Sequence, residues 1–318
     1  MQFFFTIWNH HPKAHDILQD IVQPIAAGLR DLGHQVDIGA TPPKRGVTNI
    51  VIEYFRDPWI LKRLRGLDYV LVATELADGS GFNHKRTPTW IKRWQGFVDL
   101  AKDARAIWVI CDEGAEGYQH LGPTAQITLG WSPSLEVPPS SKPPRYDVYA
   151  YGKLTSPARQ ATLERLRSRL RVAATELSSR AERDELLQSS LFSYGFRPYQ
   201  SVGFASTSRI VASLMQNVPV LQERVVQTTP LVDALEIVEG ADDVLAQWDD
   251  LVARRQEILE RQMAAWRAMP AKDIMAPAVE IMRPARDRGP ISAPRLSLLE
   301  RSPFARNMAR RLAKLRAS

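Results

Sequence analysis

The sequence predicts an α/β protein: two successive parallel-sheet domains followed by a basic helical tail. Three observations carry that expectation. Short apolar runs alternate with amphipathic helices over residues 1–130; the same rhythm resumes at residue 147 after a segment dense in Pro and Ser; and the positive charge is concentrated beyond residue 283. Strands separated by helices of about ten residues or more pair through right-handed crossovers in a parallel sheet. Such strands are buried on both faces and therefore read as continuous apolar runs.

In the first block, "QFFFTIW" is a strand, and "HDILQDIVQPIAAGLRDLGHQVDI" is an amphipathic helix stopped at Gly33 before another strand. The strand "TNIVIEYF", the helix "PWILKRLRGL", the buried strand "DYVLVAT", the helix "TWIKRWQGFVDLAKDA" and the strand "AIWVIC" follow. The opening apolar run has no basic region before it and no small-residue cleavage site after it, so it reads as a strand and not as a signal peptide. Residues 131–146, inside "GWSPSLEVPPSSKPPRY", cannot continue a helix and are read as a linker. The second block, 147–282, contains the strands "YDVYAYG", "RVAAT", "SLFSYGF" and "VPVLQE", with helices between them, and then a long polar helix over about 241–269.

The 318 residues are 44% hydrophobic and 24% charged, a composition that excludes a disordered or collagen-like chain. The single cysteine, Cys111, excludes an internal disulfide and suits a reducing compartment, so the expected location is cytoplasmic. No run approaches the roughly 18 apolar residues of a membrane-spanning helix. The net charge of +7 invites a nucleic-acid reading, but from Arg283 onward there are ten Lys or Arg and two acids, which leaves the body near neutrality. In the tail, 283–318, Phe304, Met308, Leu312 and Leu315 recur at helical spacing, with Arg306, Arg310, Arg311, Lys314 and Arg316 mostly elsewhere around the helix. That pattern suits a helix over 296–318 lying on an anionic membrane surface, peripheral at its inner face. A solvated basic tail is the competing reading. No aromatic or glycine-rich recognition motif accompanies the charges, so nucleic acid is not the expected partner.

The second block carries the most informative local chemistry. In "DVYAYGKLTSPARQATL" a buried strand ends at Gly152, where the backbone can turn tightly. Ser156 is placed to cap the next helix, with Pro157 at its first position. The free N–H groups there, with Lys153 and Arg159 beside them, suit a diphosphate. An ordinary strand-to-helix turn is the plainer reading. A second such turn, "GFASTSRIV", puts Ser206, Thr207 and Ser208 at a helix start after Gly203. Glu223 then ends the most hydrophobic strand; an acid at the carboxyl end of a parallel strand faces the binding crevice. It can equally pair with Arg224 or Arg209.

"YGKLTSPARQATLERL" followed about 50 residues later by "SRIVASLMQNVPVLQE" resembles the C-terminal half of bacterial GT-B glycosyltransferases, particularly the CgeB-like group. The resemblance falls on Gly152, Lys153 and Arg159 in the first motif and on Arg209, Asn217 and Glu223 in the second. It implies a GT-B architecture, two Rossmann-like domains facing a cleft, with the nucleotide-sugar donor bound by the second domain. It implies the diphosphate at a helix start and Glu223 accepting from ribose or sugar hydroxyls. The pair of glutamates eight positions apart found in many retaining relatives is replaced by Val202 and Ile210, and a helix-start glutamate common in the group by Ser206. The stereochemical outcome is therefore left open.

On the first domain, loops at the strand ends carry His10, His11 and Glu53, and Glu75 ends the run "DYVLVATE". Glu75 or His11 is placed to accept the acceptor's proton, with His10 and Glu53 on the acceptor side. His11 and His15 are four apart, but no third ligand is specified, so no metal site is expected. The expected function is transfer of a sugar from a nucleotide diphosphate sugar, the only small molecule required, to a hydroxyl of a glycan, glycolipid or other envelope acceptor. A degenerate nucleotide- or glycan-binding protein directed to membranes by its tail, and a nucleotide-sugar epimerase, are the alternatives.

Overall fold

The computed structural model describes residues 1–7, 12–52, 63–83, 85, 87–111, 114–176, 178–197, 205–226 and 229–285. The tail beyond 285, with the membrane-facing helix read from its sequence, lies outside the described residues, as does the first half, 58–62, of the helix expected at "PWILKRLRGL".

Strand β1 (Gln2–Thr6) occupies a central position because Phe3, Phe4 and Phe5 are buried on both its faces. Each ring contributes about 1.5–3 kcal/mol by leaving water. Parallel partners β2 (Gln35–Gly39) and β3 (Thr48–Ile52) flank it, and β4 (Tyr69–Ala73), β5 (Ile107–Val109) and β6 (Thr124–Gln126) extend the sheet in the order β2-β1-β3-β4-β5-β6. Helix α1 (Pro12–Asp31) crosses from β1 to β2. It ends as its sequence predicts: Gly33 is left-handed (φ 78°), its N–H donates to the Arg30 carbonyl and that of His34 to the Leu29 carbonyl, which satisfies the last turn. Helix α2 (Pro88–Ala101) joins β4 to β5.

The second sheet repeats the plan. Strands β7 (Tyr146–Tyr151), β8 (Val172–Thr175), β9 (Ser190–Gly195), β10 (Val220–Glu223) and β11 (Glu236–Val238) pair in parallel in the order β11-β10-β9-β7-β8. Helices α3 (Pro157–Arg167), α4 (Arg180–Gln188), α5 (Thr207–Met215) and α6 (Pro230–Asp233) make the crossovers. In each sheet the chain starts at an inner strand, steps one way, then reverses to the other side. Each sheet thus has a switch point, between β1 and β3 and between β7 and β9, where the loops leaving the strands diverge and open a crevice. The short edge strands β6 and β11 were not legible as strands in the sequence; three residues each, they carry too little pattern.

Three pieces replace the single polar helix expected over 241–269: α7 (Ala241–Ala246), α8 (Trp248–Ala253) and α9 (Arg255–Arg267). The backbone leaves helical geometry at Gln247 (φ −109°, ψ 18°) and Arg254 (φ −93°, ψ 6°). These bends let Leu251 and Ile258 bury under the second sheet while Leu259, Met263 and Trp266 join the core shared by both halves. Helix α10 (Ala271–Glu280), which the sequence-based division placed within the second domain, packs on α1 of the first half. The approach is close: a Cβ on Gly28 would come 2.6 Å from the Ala271 carbonyl oxygen. The Trp108 indole donates to the Ala278 carbonyl at 2.9 Å.

The chain thus crosses between the halves twice, and the crossings are bonded together. The Trp131 N–H donates to the Met269 carbonyl and the Ala271 N–H to the Trp131 carbonyl, at 2.8 and 2.7 Å. One apolar core runs through both halves, from Phe3, Phe5 and Val22 to Ile210, Leu214 and Trp266. Beside it, α1 and α4 bring together a buried ion pair, Arg183 Nη1 to Asp20 Oδ2 and Nη2 to Asp20 Oδ1, both 2.8 Å.

Candidate functional site

The two motifs of the second half meet at Gly152. Its backbone is in the region that favours glycine (φ 110°), and the Arg209 guanidinium lies against it: a Cβ there would be 2.5 Å from Nη2. Arg209 stands in the first turn of α5, its own carbonyl accepting from the Tyr151 hydroxyl at 3.1 Å. A glycine and an arginine 57 residues apart are therefore one structural unit.

From Gly152 the chain enters α3 through a braced loop. The Leu154 N–H donates to Glu176 Oε1 at 2.9 Å, and Ser156 caps the helix by accepting from the Arg159 N–H at 3.3 Å, with Pro157 in the first turn as the sequence predicts. The Arg159 guanidinium donates to the Lys153 carbonyl at 2.6 Å and to the Arg197 carbonyl at 3.3 Å, and lies 5.3 Å from the centre of the Phe196 ring. It ties the loop after β7 to the loop after β9 across the switch point.

Beyond the carboxyl ends of the second sheet lies a cavity of about 570 Å³. Lys153, Thr155, Ser156 and Arg159 line it from the β7 side, Arg197 from β9, Glu223 and Arg224 from β10, and Glu239 and Gly240 from β11. Such a volume accommodates a nucleotide-sized molecule. Four cations stand in the wall against two carboxylates. Arg224 pairs with Glu239 at 2.5 Å.

Glu223 stands at the end of β10, as expected, but it does not pair with Arg224 or Arg209. Its Oε1 accepts from the Tyr194 hydroxyl at 3.0 Å and its Oε2 from the Arg197 N–H at 2.8 Å. Burial first, then the Glu223 carboxylate, pushes the Tyr194 phenol above its ordinary value and keeps it a donor. Ser206 and Ser208 contribute differently from their sequence reading. Ser206 begins α5 without a side-chain capping bond, and its hydroxyl lies 3.4 Å from that of Ser208. Ser206 lines a narrow space beside Arg209 and Gln222, and neither serine lines the large cavity.

In the first half, Glu75 follows β4. Its Oε1 accepts from Arg93 Nη2 at 3.0 Å and its Oε2 from the Asn83 side-chain amide. Both oxygens are committed to bracing the loop that leads into α2. His10, His11 and Glu53 lie outside the described residues. Among the described residues no group of three or more His, Cys, Asp or Glu is placed to hold a metal ion.

Arg197, Tyr194 and Glu239 are site residues that the sequence reading passed over. A signal for Arg197 existed, since it follows the strand "SLFSYGF" directly and leaves the sheet beside its switch point.

No protein-family model and no curated protein matches the chain in sequence. Among solved structures, an α-glucosyltransferase in complex with UDP aligns with a TM-score of 0.53 at 10% identity, covering 88% of this chain and 98% of its own. T4 phage BGT in complex with UDP and Mn2+ aligns with a TM-score of 0.53 at 11% identity, over 88% and 99%. The fold is GT-B. TarM matches with a TM-score of 0.47 at 10% identity over 74% of this chain, which spans about half of TarM's length, 54%. In GT-B terms the cavity lies on the C-terminal half, and all its lining residues come from that half.

Proposed function

We propose that the protein is a glycosyltransferase that moves a sugar from a nucleoside diphosphate sugar to a hydroxyl acceptor. One observation carries the reading: a cavity of about 570 Å³ at the switch-point end of the second sheet, with Lys153, Arg159, Arg197 and Arg224 in its wall and the α3 N-terminus opening onto it. Cations and unpaired helix N–H groups answer the charge of a diphosphate, and stabilising the leaving diphosphate is the electrostatic part of such a transfer. The GT-B fold, and the UDP bound in two of its structural neighbours, support UDP as the first donor base to test.

Glu75 is less suited to the role of base than its position in the sequence implied, since Arg93 and Asn83 hold both its oxygens. The proposed acceptor is a glycan, glycolipid or other envelope hydroxyl, with the basic segment 296–318 holding the enzyme at an anionic membrane surface. One structural neighbour, an α-glucosyltransferase, was solved in complex with UDP and a 13-mer DNA. DNA is therefore the control acceptor.

The test is a thermal-shift screen of the full chain against UDP, GDP, CDP, ADP, dTDP and CMP, followed by nucleotide-release assays with the matching sugar donors. Stabilisation by one diphosphate, with release that depends on an added acceptor, supports the transferase. Binding without nucleotide release but with conversion of the donor to its sugar epimer points to an epimerase, and binding with neither release nor conversion indicates a degenerate binding protein. No shift with any nucleotide removes the reading.

A further inference from the structure

The cations of the cavity are not equivalent. Arg224 is paired with Glu239, and Arg159 is spent on the carbonyls of Lys153 and Arg197. Lys153 and Arg197 differ: among the described residues their side chains make no hydrogen bond and no ion pair, although both line the cavity. Arg197 is also the better anchored. Its N–H donates to Glu223 Oε2 at 2.8 Å, its carbonyl accepts from Arg159 Nη2 at 3.3 Å, and the preceding Phe196 is fully buried. A main chain pinned on both sides with its guanidinium left open to the cavity has little left to order on meeting an anion.

Glu223 is the source of that anchoring. One oxygen is held by the Tyr194 hydroxyl, which is buried, and the other holds the Arg197 N–H. The carboxylate is aimed along the end of the sheet at the neighbouring loop.

We propose that Arg197 is a phosphate-binding residue of this cavity, and that Glu223 serves the ligand as a positioning residue acting through Arg197 instead of holding a sugar hydroxyl. The inference rests on the reading of the cavity as a nucleotide site. Arg197 and Lys153 then approach the diphosphate from opposite sides of the β7–β9 switch point. A guanidinium suits this place because its planar fork meets two phosphate oxygens at once.

Calorimetric titration of the full chain with UDP, UMP and uridine, or with the same series of whichever base the screen selects, tests this. Arg197→Gln is expected to weaken the diphosphate about 10- to 100-fold, the loss of one charge-assisted contact. It leaves the nucleoside within about 2-fold, because the nucleoside carries no phosphate. Arg197→Lys recovers part of the loss. Glu223→Ala is expected to show the same selective loss, and the double variant to be no weaker than either single one, since the two act in series. Glu223→Gln keeps an acceptor for the Arg197 N–H and is expected within about 3-fold of the wild type, which separates positioning from misfolding.

Unchanged diphosphate affinity in Arg197→Gln overturns the inference. So does an equal loss of uridine and UDP in Glu223→Ala that adds to the Arg197→Gln loss, because that pattern marks a hydroxyl ligand. If the wild type binds no nucleoside diphosphate, the reading of the cavity fails first and this inference falls with it. Wild-type binding with unaffected variants sinks the inference alone.

Discussion

The Arg209 guanidinium occupies the space that a side chain on Gly152 would need. A Cβ at 152 would lie 2.5 Å from Nη2 and 2.7 Å from Cζ, on a backbone whose φ of 110° already disfavours any residue but glycine. Gly152→Ala therefore displaces Arg209 as well as straining the turn. The expected cost is about 1–3 kcal/mol, read as a lower denaturation midpoint, with weaker nucleotide binding because the loop carrying Lys153 moves. A variant with unchanged midpoint and affinity refutes the coupling.

Asn217 offers a cleaner separation of backbone from side chain. It follows α5 in the left-handed region (φ 57°), and its amide donates to the Val137 carbonyl at 2.5 Å, which pins the linker between the halves. Asn217→Gly keeps the conformation and loses the bond; Asn217→Ala loses both. Urea unfolding should place the glycine variant about 1 kcal/mol below the wild type and the alanine variant about 1 kcal/mol lower again.

Asp20 makes stability depend on pH. Burial pushes its carboxyl up to about 7, against the pull of Arg183; Asp184 adds to the rise, while Arg180 and Arg209 oppose it. A carboxyl raised in the folded state contributes stability that is fully present below the unfolded value near 3.8 and is lost as pH rises through about 7. Between pH 5 and pH 8 this group should remove about 2–3 kcal/mol from the wild type. Asp20→Asn should flatten that part of the profile in urea denaturation. A profile of equal slope in both proteins would show that Asp20 does not titrate in this range.

For Glu75 the geometry predicts a structural phenotype. Glu75→Gln weakens the bond from Arg93 and should lower the unfolding free energy by about 1–3 kcal/mol. Turnover of the folded fraction should stay within about 3-fold of the wild type, far from the roughly 10²- to 10⁴-fold contribution of a general base. A loss of that larger size in the folded fraction would return Glu75 to catalysis.

Much of the architecture was legible because the signals are local. The Phe3–Phe5 run announces a strand buried on both faces, Gly33 announces the end of α1, and Ser156 with Pro157 announces the start of α3; each follows from sterics and hydrogen bonding within a few residues. The placement of Lys153, Arg159 and Glu223 around one cavity was likewise visible, since residues leaving the carboxyl ends of parallel strands gather at that end of the sheet. What each side chain does there was not. Arg159 turns to backbone carbonyls, Glu223 to the Arg197 N–H, and Glu75 to Arg93, and these partners, Lys153 apart, lie 18 to 38 positions away in the chain. The return of α10 onto α1, the breaks at Gln247 and Arg254, and the pairing of Asp20 with Arg183 were equally beyond the sequence. Local pattern determines which elements form and which way they run. Only packing, by bringing distant donors and acceptors into the same dry space, decides which charges remain free to meet a ligand.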